Sequence, residues 1–137
     1  MKTLFTLLLL ALVYHAQAQN QLSVKVTGIK ELKGNVEVCL YKEGGGFMNR
    51  NKAQSCVWLK AESSNLTYAF QEVDRGKYAV IVIHDLNSNK NLDTNFMRIP
   101  KEPYGFSNNP STTFGPPDFE GASFEVNGDL EIEVRLK

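Results

Sequence analysis

Tyr78-Ala79-Val80-Ile81-Val82-Ile83 places no polar group other than one phenol on either of the two faces that an extended chain presents. A run of this kind, introduced by the turn residues Asp74-Arg75-Gly76, reads as a central strand covered on both sides. The segments around it alternate instead. Leu22, Val24 and Val26 are separated by Ser23 and Lys25, with Thr27 following; Val36, Val38 and Leu40 alternate with Asn35, Glu37 and Cys39; Val57 and Leu59 alternate with Cys56 and Trp58. Leu66-Thr67-Tyr68-Ala69-Phe70 continues the pattern. Period-two spacing predicts strands with one face in a core. Phe124 to Val126 and Leu130 to Leu136 are expected to close the chain as a hairpin turned at Asn127-Gly128-Asp129. About seven short strands with turn signals between them predict an all-β fold, an antiparallel β-sandwich.

The N-terminus carries an address. Met1-Lys2 is followed by an apolar stretch including Leu7 to Leu10 and then by Ala16-Gln17-Ala18, a small-x-small pattern. Residues 1–18 therefore read as a secretory signal peptide, and residues 19–137 as a single domain. The apolar stretch is shorter than the roughly 20 residues that span a bilayer. The expected location is outside the cytoplasm, periplasmic or secreted, with no membrane insertion after cleavage. Cleavage removes Lys2 from the 15 basic side chains and none of the 15 acidic ones, so the mature net charge is about −1. That balance gives no reason to expect nucleic acid or an anionic membrane as partner, since both call for a clustered basic face. Only His84 remains of the two histidines, which argues against zinc sites built on several imidazoles.

Cys39 and Cys56 are the only cysteines, and export to an oxidising compartment predicts that they pair. If the aliphatic side chains of their segments point inward, both cysteines point outward. A bridge across neighbouring strands then leaves the core undisturbed. Two unpaired thiols are the alternative.

Residues 84–121 break the strand pattern. All five prolines fall there, together with Tyr104, Phe106, Phe114 and Phe119, and a stretch of this length is usually functional or disordered. Its aromatic side chains argue against disorder. The excursion opens with His84-Asp85-Leu86-Asn87-Ser88-Asn89-Lys90-Asn91-Leu92-Asp93. Asp85, Asn87, Asn89, Asn91 and Asp93 stand on alternate residues, as the oxygen ligands of a calcium loop do, with Asn91 where such loops offer a backbone carbonyl. Glu102 could add a carboxylate. Phe96 occupies the place of the closing glutamate of an EF-hand, and Lys90 occupies the place of its glycine, where a left-handed backbone is required. Calcium bound here would have a dissociation constant on the order of 0.1 to 1 mM, as in extracellular modules. The competing reading is a run of Asx turns, which use the same residues.

These elements resemble a family of exported bacterial proteins, DUF2141, whose signature is an HDxNxNGxLD element followed by PxExYGFSN and GPPxF. The corresponding residues are His84 to Asp93, Pro100 to Asn108 and Gly115 to Phe119, and Gly76-Lys77-Tyr78-Ala79-Val80 fits the family's GxYAV strand. The resemblance implies a prealbumin-like or Cna-B-like sandwich and no particular activity. Lys90 is the visible departure, standing where the family has glycine.

Three functions compete. The first is a non-catalytic binding or structural module with a calcium-stiffened loop and an extracytoplasmic ligand or protein as partner. Its candidate ligand surface is Tyr104, Phe106, Phe114 and Phe119, against the alternative that these rings pack under the loop. The second is a hydrolase-type enzyme using His84 with a carboxylate and Ser107 as nucleophile. Adjacent strand residues point to opposite faces, so His84 and Asp85 do not readily form a dyad, and no GxSxG element occurs. The third is an adhesin-like cell-surface domain with a Lys-Asn cross-link from Lys25 or Lys77. Asn65-Leu66-Thr67 matches a glycosylation sequon but reads as an ordinary strand entry.

Overall fold

The computed structural model describes residues 19–137, so the signal-peptide reading of residues 1–18 lies outside the described residues. Eight strands form: β1 (Asn20–Thr27), β2 (Asn35–Lys42), β3 (Ser55–Lys60), β4 (Leu66–Val73), β5 (Gly76–Asp85), β6 (Tyr104–Phe106), β7 (Ser123–Val126) and β8 (Leu130–Arg135). One short helix, α1 (Phe119–Ala122), precedes β7, and its first turn is capped by the Asp118 side chain. A three-stranded sheet runs β4-β1-β8. A five-stranded sheet runs β3-β2-β5-β6, with β7 also on β5. The chain is all-β, and the two sheets make a sandwich.

The aliphatic positions of the alternating segments fill the space between the sheets. Leu22, Val24 and Val26 of β1 meet Val36, Val38 and Leu40 of β2 and Tyr78, Val80 and Val82 of β5 in one buried cluster. In β4 the inward set steps from Phe70 to Val73 rather than Glu72, because Glu72 takes a left-handed φ of 57° and the β1 register shifts there. This bulge keeps the carboxylate out of the core.

Two expectations are corrected. β7 and β8 form where expected but do not pair as a hairpin: β7 lies antiparallel on β5, and β8 lies parallel to β1. The Asn127-Gly128-Asp129 turn thus carries the chain from one sheet to the other, and the Asp129 carboxylate accepts the Gln21 N–H at 2.8 Å. Each sheet gains a strand, and Val126 and Val134 both reach full burial. The sandwich is consequently not wholly antiparallel. The second correction is β6, a strand inside the long excursion. Tyr104 exchanges backbone hydrogen bonds with Lys137, tying β6 to the chain segment just beyond β8. Gly105 fits that junction because an added Cβ would stand 2.6 Å from the Arg135 carbonyl oxygen.

β5 is covered on both faces, as its sequence predicts. Its outer face, with Ala79 and Ile81, joins Cys39, Tyr41, Phe106 and Ala122 in a second buried cluster under the excursion.

Candidate functional site

The acidic loop begins at the last residue of β5. Asp85 is fully buried, and its two carboxylate oxygens accept the backbone N–H groups of Asn89 at 3.1 Å and Lys90 at 2.8 Å. The Asn87 side-chain amide oxygen accepts from Asn89 N–H, and the Asn89 side-chain amide oxygen accepts from Asn91 N–H, so successive Asx turns wind the loop. Lys90 has φ 62°, the left-handed conformation that its position requires. The carboxylate of Asp93 is the meeting point: it accepts from the amide of Asn87 at 2.6 Å and from that of Asn89 at 3.0 Å. Asn91 turns its own amide back onto the Asn89 carbonyl. Glu102, buried, clamps the loop base by accepting from Leu86 N–H and Asp93 N–H.

The donor set is all oxygen, which suits a hard cation. Asn87, Asn89 and Asp93 are drawn together by side-chain contacts, whereas Asp85, Glu102 and Asn91 are committed to backbone groups. Among the described residues, the trio of metal-ligating side chains whose ligand atoms lie within 4.8 Å of one another is Glu37, Cys39 and Cys56, not a trio from the loop. Both sulfurs of that trio are joined to each other, since Cys39 and Cys56 are direct cross-strand partners and form the disulfide.

His84 and Asp85 alternate on β5, with His84 on the side of Val80 and Val82. The His84 Nε2 lies 2.8 Å from the Lys33 carbonyl and must donate to it, leaving Nδ1 buried without a partner. Ser107 is fully buried; its hydroxyl accepts from Val80 N–H and donates to the Ala122 carbonyl, pinning β6 and α1 to β5. The Lys77 ammonium sits 2.5 Å from Glu120, and this contact holds its pKa above the ordinary lysine value.

Of the four aromatic side chains singled out, three pack. Phe106 is buried, and Tyr104 and Phe119 are half-buried; the Phe47 ring lies 6.4 Å from Phe106 and 5.7 Å from Phe119 between centroids, and Tyr104 lies 5.8 Å from Phe106. Phe114 alone is fully exposed.

The excursion does not seal the outer face. Between it and the β2–β3 connection lies a cavity of about 520 Å³. Its floor is Cys39, Tyr41, Ile81, Ile83 and Phe106; Met48 and Arg50 stand on one wall, and Leu92, Arg98 and Ile99 on the other. Glu37, buried at its edge, accepts from Arg50 Nε, and the Arg50 guanidinium also lies 5.3 Å from the centre of the Trp58 ring. Burial, with the Glu37 charge adding to it, raises the Tyr41 pKa above the usual tyrosine value. Sequence reading missed this site. The signal was the outward set Glu37, Cys39 and Tyr41 on β2, too apolar for a face left in water.

The fold and the cavity define a β-sandwich module in which a long loop walls a cleft over one sheet. The chain belongs to the family described as an uncharacterized protein conserved in bacteria, DUF2141, which it matches over residues 24–133. Comparison with curated proteins and with solved structures found no match. Among the described residues no helix is long and apolar enough to cross a membrane.

Proposed function

We propose that this domain is an exported, periplasmic or secreted, non-catalytic binding module that takes a small molecule in the cleft over the five-stranded sheet. The observation that carries this reading is the cavity itself. At about 520 Å³ it falls within the roughly 300–1,000 Å³ typical of ligand sites, and its apolar floor carries a few polar groups at the edge. The disulfide forming part of the floor fits an oxidising compartment. The roles of His84 and Ser107 in backbone hydrogen bonds support a non-catalytic assignment.

Calcium belongs to the same proposal as an ordering ion. Asp85, Asn87, Asn89 and Asp93 would hold it, and the ion would neutralise the loop carboxylates and stiffen the segment that continues into the wall at Leu92, Arg98 and Ile99. Saturable calorimetric binding at millimolar calcium, with a raised melting temperature and loss of both in Asp93→Ala, is the expected result. No heat and no shift would leave the Asx turns as the loop's whole architecture.

The pocket is tested with Nile red, a neutral solvatochromic dye. The purified protein should bind it saturably, and Ile83→Phe, which fills the floor, should weaken binding while circular dichroism stays unchanged. Absence of saturable binding would sink the pocket reading.

A further inference from the structure

We infer that the ligand of this cleft is a single amphipathic carboxylate, an apolar chain or ring system ending in one anionic group. This rests on the pocket reading above and names its substrate class.

The charges lining the cavity are Glu37, Arg50 and Arg98. Glu37 is 4 % exposed and already engaged by Arg50 through Nε. Of the Arg50 nitrogens, only Nε has a hydrogen-bond partner among the described residues; the guanidinium also lies against the Trp58 ring, and its terminal nitrogens remain able to donate. Arg98 is exposed and has no carboxylate within salt-bridge distance among the described residues. The lining therefore holds two guanidinium groups against one buried carboxylate. An apolar cleft with one net positive charge selects an apolar body with one negative charge, because a cation would meet the two arginines and a neutral body would gain no charge-assisted contact from them.

The rim agrees with a ligand that has a long apolar part. Met48, Phe96, Met97, Ile99 and Phe114 are all at least 48 % exposed; Met48 and Ile99 line the cavity, Met97 and Phe114 are chain neighbours of lining residues, and Phe96 stands between the lining residues Thr94 and Arg98 on the same turn. Among the described residues, Leu32 is the remaining large exposed apolar side chain. Exposed apolar groups gathered at one mouth mark a contact surface. Arg98 sits among them at φ 61°, in a tight turn closed by hydrogen bonds between Asn95 and Ile99 and from Arg98 to Asn95. The turn carries cation and apolar groups together to the rim.

The experiment is isothermal titration of the purified protein with dodecanoate, dodecanol and dodecyltrimethylammonium, each below its micelle concentration. Dodecanoate should bind saturably and at least about tenfold more tightly than the other two, the factor expected from one charge-assisted contact. Its affinity should fall with added salt. Arg98→Gln, an exposed and unpaired position, should lose about that factor for dodecanoate and none for dodecanol. Arg50→Gln should do the same, with melting curves checking that Glu37 tolerates the loss of its partner. Equal binding of dodecanoate and dodecanol would overturn the anionic assignment while keeping the pocket. Failure of all three together with Nile red would overturn the pocket reading itself. Sedimentation with phosphatidylglycerol vesicles without uptake of monomeric dodecanoate would also overturn it, making the rim a membrane contact.

Discussion

On the inner face of the five-stranded sheet, Val36, Val38, Leu40, Tyr78, Val80 and Val82 meet the second sheet and are at most 1 % exposed. On its outer face, Ile81 is 9 % exposed and Ile83 and Tyr104 are only half-buried, although the side chains are just as apolar. The difference lies in the cover. A sheet presents a regular surface that interdigitates along its whole length. The excursion instead bridges the outer face with turns, prolines and one three-residue strand; apart from that strand's pairing, many backbone hydrogen bonds of its first half are settled locally by Asx turns and the Glu102 clamp. A cover that satisfies itself does not need to touch the floor everywhere. The inner face is where stability resides, and the outer face is where space for a ligand remains.

The sharpest way to break this comparison is a matched pair of truncations. Leu40→Ala on the inner face should cost about 2–5 kcal/mol, the usual range for a buried leucine whose site cannot collapse. Ile83→Ala, beside an existing cavity, should cost nearer about 1 kcal/mol, because less packing is lost there. Urea unfolding of both variants measures the difference. Equal costs would mean that the two faces are packed alike.

The disulfide gives the outer face a covalent share of the fold. Cys39 and Cys56 are 17 residues apart, and opening that loop in the Cys39→Ala, Cys56→Ala double variant should remove about 3 kcal/mol in the chain-entropy description. Because the bridge forms part of the cavity floor, Nile red affinity should fall with it. Lost stability with unchanged dye binding would separate the bridge from the pocket.

Much of this frame was legible in the sequence, and the illegible parts have physical causes. The apolar run on β5 declared a strand covered on both sides, and alternation on β2 and β3 placed the two cysteines together on one face. The Asn and Asp spacing offered a calcium loop or a run of Asx turns, and the chain does wind there into Asx turns, with Lys90 left-handed as that position in such a loop calls for. The β7–β8 connection was not legible, because Asn127-Gly128 makes a tight turn equally well whether the strands pair or part. Parallel pairing of β8 with β1 leaves no local trace, since the two segments lie at opposite ends of the described chain. β6 is three residues long, Tyr104-Gly105-Phe106, too short for a period to show. The cleft was hidden for a related reason: Arg50 and Arg98 come from separate connections, and only the fold sets them around one space.

The smallest expected effect probes how dry the outer face is at Tyr41. Burial raises the Tyr41 pKa above the ordinary value of 10.0, and the nearby Glu37 charge acts in the same direction, against Arg50. In the unfolded chain the phenol titrates at its ordinary value, so near pH 10 the unfolded state gives up a proton that the folded state retains. Below that pH both states are protonated and the favourable difference is fully present; as pH rises toward the folded-state pKa, it is progressively lost. Urea unfolding between about pH 8 and 11 should show stability falling more steeply in the parent than in Tyr41→Phe, which has no phenol to titrate. Identical slopes would mean that water reaches Tyr41 freely, and that the cover over the sheet is looser at this end than at Phe106.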